Sequence, residues 1–169
     1  MAGEIMGESI KSAIALKIKS SFAVTSGTPP ITTYPIIYKE QIVQGMEKPS
    51  FFIWQMNVDQ EKQMLNNFNR VYQMNIRYHP VDDDLNQYQT LADAGHKLLE
   101  YLTEIEVPIF LGKYDNENKP VEEKKPIRGS QMSFTITDGV LQVFVTYVVK
   151  MKLVKSAMPF MQTLDINNQ

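Results

Sequence analysis

The residues of this chain whose types can bind a metal are three adjacent carboxylates, Asp82-Asp83-Asp84, and two histidines, His79 and His96. Clustered oxygen donors suit Mg2+ or Ca2+. No EF-hand spacing follows the three acids, and they stand just before a helical pattern, where carboxylates interact favourably with the helix dipole and supply its N-cap. Capping is the stronger reading. The histidines lack the HExxH spacing of a helical zinc site: His79 directly precedes Pro80 at the end of a strand pattern, and His96 falls on the polar side of a helical one. A metal-dependent nuclease site, which can consist of sparse acids plus a lysine on a sheet, would have to use Asp59, Glu61 and Lys62. All three fall in a polar connection between strands, where a solvated turn accounts for them. Strings of the forms GxxxxGK[ST], GxGxxG and GxSxG are absent, so phosphate-loop and nucleophile-elbow chemistry lack a sequence basis. The residues therefore predict neither an enzyme nor a cofactor nor a metal centre.

Bulk composition narrows the function classes further. A chain of 169 residues with 43% hydrophobic and 21% charged residues has the composition of an ordinary globular domain. Its formal net charge of −2 gives no basic footprint for sequence-independent or sequence-specific nucleic-acid binding. Cysteine is absent, which removes disulfides, thiolate metal clusters and a cysteine nucleophile, so stability must come from packing and assembly. No run approaches the about 18 apolar residues of a membrane span, and Met1 to Phe22 carries Glu4, Glu8, Lys11, Lys17 and Lys19 in place of a signal-peptide apolar centre. The expectation is a protein that stays in the cytoplasm of the cell that makes it, with no membrane partner.

The elements that must position these residues follow from periodicity. Ile10, Ala13, Ile14, Ile18 and Phe22 recur at helical spacing and predict an amphipathic helix stopped by Gly27, Pro29 and Pro30. A short strand is expected around Thr32 to Tyr38, at a sheet edge or a strand start because Pro35 cannot donate to a ladder. Two long strands come next, Ser50 to Val58 and Phe68 to Pro80, the second placing Phe68, Tyr72, Met74, Ile76 and Tyr78 on one face; Met56 and Met74 are expected in the core. The connection Asp59 to Asn67 is too long and polar for a two-residue turn and is expected to protrude. Asp84 followed by Gln87 resembles a capping box, after which Tyr88, Leu91, Gly95, Leu98, Leu99, Leu102 and Ile105 trace one face of a second helix.

Ile109-Phe110-Leu111 reads as a short strand, and Gly112 to Gly129, charged and nearly free of large apolar residues, as a mobile loop. The final hairpin turns at Asp138-Gly139, a pair suited to the positive φ of a type I′ turn, with arms Gln131 to Thr137 and Val140 to Val154. Leu141, Val143, Val145, Tyr147, Val149, Met151 and Leu153 share one face of the last arm; Phe144 and Val148 make the other partly apolar, as if both sides were covered near its middle. The predicted fold is α+β, a mainly antiparallel sheet in the order α-β-β-β-α-β-β-β with both helices on one face. Residues 1–155 are expected to form a single domain and residues 156–169 a tail in which Met158 and Met161 flank Pro159-Phe160, soft side chains suited to an adaptable contact surface.

The run IYKEQIVQGMEKPSFFIWQM followed by NRVYQMNIRYHP, with its Lys39-Glu40-Gln41, Gly45, Pro49-Ser50-Phe51-Phe52 and Tyr78-His79-Pro80, resembles the tail-terminator proteins of tailed bacteriophages and of phage-like particles of Gram-positive bacteria. The resemblance covers residues 5 to 154 and is strongest in the middle. It implies a structural virion protein, a homohexameric ring on the head-proximal end of the tail tube, with the tube protein, a neck or connector protein and, in contractile particles, the sheath protein as partners. It also implies a contact surface, for which the candidates are Lys39, Glu40, Gln41, Gln60, Glu61, Lys62, Lys124, Lys125, Pro159 and Phe160. A stopper or adaptor of the neck shares the ring and the lack of chemistry and is the alternative. A nuclease or a free-standing binding module ranks below both.

Overall fold

Alternation of apolar and polar residues from Ser50 onward builds the centre of the molecule, since strand residues two apart share a face and a sheet covered on one side needs one apolar face. The structure, a computed structural model, describes residues 7–39, 45–64, 67–81, 87–114 and 120–152. Its elements are α1 (Gly7–Ser21), β1 (Val24–Ser26), β2 (Ile31–Thr33), β3 (Ile36–Tyr38), β4 (Ser50–Lys62), β5 (Asn67–His79), α2 (Gln87–Leu102), β6 (Glu104–Tyr114), β7 (Pro120–Thr137) and β8 (Val140–Lys152). Six strands form one sheet in the order β3-β4-β5-β8-β7-β6, and β1 and β2 form a separate small hairpin. Every pairing in the large sheet is antiparallel except that of β3 with β4. The fold is α+β, as the periodicity predicted.

Both helices cover one face of the sheet. Ile10, Ile14 and Ile18 of α1 and Leu91, Leu98 and Leu102 of α2 join Phe51, Ile53, Tyr72, Met74, Ile76 and the odd-numbered residues Leu141 to Val149 of β8 in one buried cluster. Gly95 lets α2 approach the sheet closely, because a Cβ there would stand 2.9 Å from the Phe134 ring. The last turn of α2 is closed by several bonds that satisfy its end carbonyls. Tyr147 Oη donates to Leu102 O at 2.8 Å, Thr103 Oγ1 donates to Leu99 O at 2.8 Å, and the Gly129 amide donates to Thr103 O at 2.8 Å. The Asp138-Gly139 turn has the expected positive φ at both residues, 52° and 73°.

Several expectations are corrected. The strand expected at Thr32 to Tyr38 is divided at Tyr34-Pro35 into β2 and β3, and β2 pairs with an unforeseen β1. Pro35 precedes β3, a three-residue edge strand, which matches the edge or strand-start position expected of a residue without a donor. The second helix stops at Leu102 rather than reaching Ile105, because Glu104-Ile105-Glu106-Val107 alternates exposed and buried and is already strand. Residues 59–62 are not a protruding loop: β4 continues to Lys62 and β5 begins at Asn67, so the polar residues lie on paired strands exposed on both sides. The segment Gly112 to Gly129 is likewise mostly strand, with β6 running to Tyr114 and β7 starting at Pro120. Charge-rich composition signals contact with water, and a paired edge hairpin makes that contact as readily as a loop. Met56 is 55% exposed rather than core, because a bulge between Gln55 and Asn57 re-aims it.

Candidate assembly surface

Strand geometry separates the residues that a nuclease site would need. Asp59 and Glu61 share one face of β4, and Lys62 projects from the other. Asp59 is engaged by the Asn57 side-chain amide at 3.0 Å. His96 sits exposed on α2, edge-on to Phe134 with ring centroids 5.2 Å apart. Among the described residues no group of three or more His, Cys, Asp or Glu side chains is placed to hold a metal ion; Asp82-Asp83-Asp84 lie outside the described residues.

His79 ends β5 directly opposite Ser50 of β4. Its Nε2 and the Ser50 Oγ are buried and without a hydrogen-bond partner among the described residues. Burial, reinforced by the positive charges of Lys48 and Arg77, holds the imidazole below its ordinary pKa. A histidine depressed in the fold takes up its proton in the unfolded chain first, so its effect on stability is absent at neutral pH and becomes unfavourable as pH falls through about 6.5. His79→Gln is therefore expected to lose less stability than the parent between about pH 7 and about pH 5, measured by urea denaturation. Equal losses would show that His79 does not titrate in this way.

The expected contact residues are scattered over the sheet's two ends. Lys39 is exposed at the end of β3 and its Nζ donates to Ser12 Oγ of α1 at 3.1 Å; Glu40 and Gln41 lie outside the described residues. Gln60, Glu61 and Lys62 occupy the far end of β4, where Gln60 Oε1 accepts from an Arg70 guanidinium nitrogen at 3.2 Å. Lys124 on β7 pairs with Glu106 of β6 at 3.6 Å across two exposed side chains. Lys125 lines a cleft of about 210 Å³ where β7 parts from β8, together with Ile127, Arg128, Val148 and Lys150. Pro159 and Phe160 lie outside the described residues.

One surface escaped the sequence reading. On the sheet face opposite the helices, Trp54, Met56, Asn75, Arg77, Gln142 and Phe144 line a groove of about 390 Å³. Register explains the cluster, since Trp54 pairs with Asn75 and Asn75 with Phe144, while Phe52 pairs with Arg77 and Arg77 with Gln142. The Arg77 guanidinium stands 5.9 Å from the Trp54 ring centroid and its Nε donates to Asn75 Oδ1 at 3.0 Å. Trp54 is 50% exposed although its strand neighbours Phe52 and Ile53 are buried. The signal was present in Phe51-Phe52-Ile53-Trp54, an apolar run that a one-faced sheet cannot bury on a single side, and in the apolar Phe144 and Val148.

Among the described residues this arrangement offers exposed strand ends, cross-strand ion pairs and a half-open aromatic groove. No helix among the described residues is long and apolar enough to cross a membrane. Comparison with curated proteins gives no match. The family profile described as phage tail terminator protein matches residues 9–158, nearly the whole chain and including every element from β1 to β8. With that match, the resemblance read in the central block becomes an assignment: the chain belongs to the phage tail terminator protein family and is a structural protein of the phage tail.

Proposed function

We propose that this protein caps the head-proximal end of the tail tube as a homohexameric ring, ends tube polymerisation and gives the neck or connector its docking surface. The observation that carries this reading is the family match over residues 9–158. On this reading residues 1–155 act as one ring-forming domain, and the partners are the tube protein, a connector protein and, where the tail contracts, the sheath protein. The protein works within the virion tail after assembly in the host cytoplasm. One face of the ring copies enough of the tube subunit's surface to bind the last tube ring, while the opposite face offers no such template. Growth stops because the next docking site is missing.

The exposed ends of the sheet supply the contacts. Gln60, Glu61 and Lys62 lie at the far end of β4, where β4, β5 and β8 are paired and all of residues 56–62 are exposed, and Lys124 and Lys125 lie on the β6–β7 hairpin. Lys39, Glu40 and Gln41 follow edge strand β3, and Pro159 and Phe160 belong to the tail. Paired strands hold such side chains in fixed positions, which a repeated ring contact requires.

Electron microscopy of particles assembled with and without this chain tests the proposal. Abnormally long or headless tails are expected in its absence. Filled particles with tails of normal length would overturn the capping role, and purified protein that binds connector but not tube would move it to a stopper or adaptor.

A further inference from the structure

Two strands of the large sheet keep an open edge at the same end of the molecule. On its outer side β4 is paired with β3 only from Ser50 to Phe52, so among the described residues Ile53 to Lys62 have no neighbouring strand there. Beyond the bulge between Gln55 and Asn57 the register of β4 with β5 runs unbroken to Lys62. On the other side of β5, strand β8 is paired with β7 only as far as Tyr147, so among the described residues Val148 to Lys152 border the cleft where β7 departs. Each edge presents backbone N–H and C=O groups able to pair with another strand. We propose that the β4 edge of one copy of this chain pairs with the β8 edge of the next, a head-to-tail contact in which Asp59 and Glu61 face the cations of the cleft.

Three observations select a second copy. Within one copy β4 and β8 flank β5, so their open edges point away from each other and cannot meet. The charges are opposite: Asp59 and Glu61 stand across from the uncharged Val71 and Asn69 in their own sheet, while exposed Lys125, Lys150 and Arg128, the last bound to Glu104, line the cleft. The rows also coincide. Glu61 pairs with Asn69 and Asn69 with Lys150, and Asp59 pairs with Val71 and Val71 with Val148, so the acids and Lys150 lie at one height on the helix-free face. Strands β4 and β8 run in the same direction, both antiparallel to β5, and the rotation between ring neighbours does not reverse a strand. The new pairing is therefore parallel and needs no shift along the strands. A head-to-tail contact of this kind generates a ring when its rotation closes, and for that closure it rests on the ring reading above.

The chain has no cysteine, so a pair introduced at Glu61 and Lys150 reports this contact alone. Residues in one row of adjacent strands lie within the Cα separation that a disulfide spans. Under mild oxidation the full-length double variant Glu61→Cys, Lys150→Cys, purified at high concentration or assembled in tails, is expected to give a ladder of covalent multimers ending at the hexamer, and each single variant none. Absence of the ladder in both settings would overturn the proposal, as would a dimer from either single variant, which marks a two-fold contact instead. Tail length is read separately. A ladder from a protein whose loss leaves tails normal keeps the pairing and removes capping, whereas capped tails without the ladder remove only the pairing. Should the cysteine variants lose their circular dichroism signature, charge reversal decides in their place: Glu61→Lys and Lys150→Glu are each expected to reduce multimer formation about tenfold, by sedimentation or by recovery in tails, and the combined variant to restore it. A combined variant no better than the single ones removes the pairing.

Discussion

Tyr147→Ala is expected to destabilise the protein by about 3–5 kcal/mol, the range for deleting a fully buried aromatic side chain. Tyr147 is fully buried in the middle of β8, beneath the end of α2. Truncation opens a cavity at the junction of helix and sheet and also removes the donor to Leu102 O. Tyr147→Phe separates the two effects, keeping the ring and deleting the hydroxyl, and should cost about 1–2 kcal/mol because it strands a buried helix-end carbonyl. Burial pushes the phenol well above its ordinary pKa, so the hydroxyl stays a neutral donor wherever the fold persists. Guanidinium denaturation with an unchanged m value would measure both numbers. A Tyr147→Phe protein as stable as the parent would show that the bond to Leu102 contributes nothing net.

Ile14→Ala should cost about 2–5 kcal/mol by the same cavity argument, although α1 lies at the edge of the described chain. Ile14 is fully buried, and Ile10, Ala13 and Ile18 beside it complete the stripe with which α1 contacts β6, β4 and α2. An N-terminal helix joined to the sheet by side chains alone has little other reason to stay. Leu16→Ala on the same helix is the control, because Leu16 is 64% exposed and its loss should fall within about 0.5 kcal/mol of the parent. Comparable losses at the two positions would mean that α1 is not anchored through this stripe.

The sequence by itself determined the two helices, the long hairpin, the Asp138-Gly139 turn and the α+β class. Each rests on a local rule: a 3.6-residue period at Ile10, Ile14 and Ile18, a two-residue period from Leu141 to Val149, and positive φ at an Asp-Gly pair. The central block also carried the family, and the match over residues 9–158 agrees with it.

Only the tertiary structure decided what the polar segments do. Asp59 to Lys62 and Glu122 to Arg128 read as loops because solvation is a property of side chains, whereas a strand is made by backbone pairing with partners far away in sequence. Lys124 finds Glu106 and Arg128 finds Glu104 only once β6 and β7 are paired. The aromatic groove has the same origin. Trp54, Arg77 and Phe144 stand far apart in the chain, and it is the register of β4, β5 and β8, together with the bulge at Met56, that brings them to one face opposite the helices. Periodicity shows that a strand has two faces, but which one stays open depends on where the helices pack, and that choice belongs to the assembled sheet.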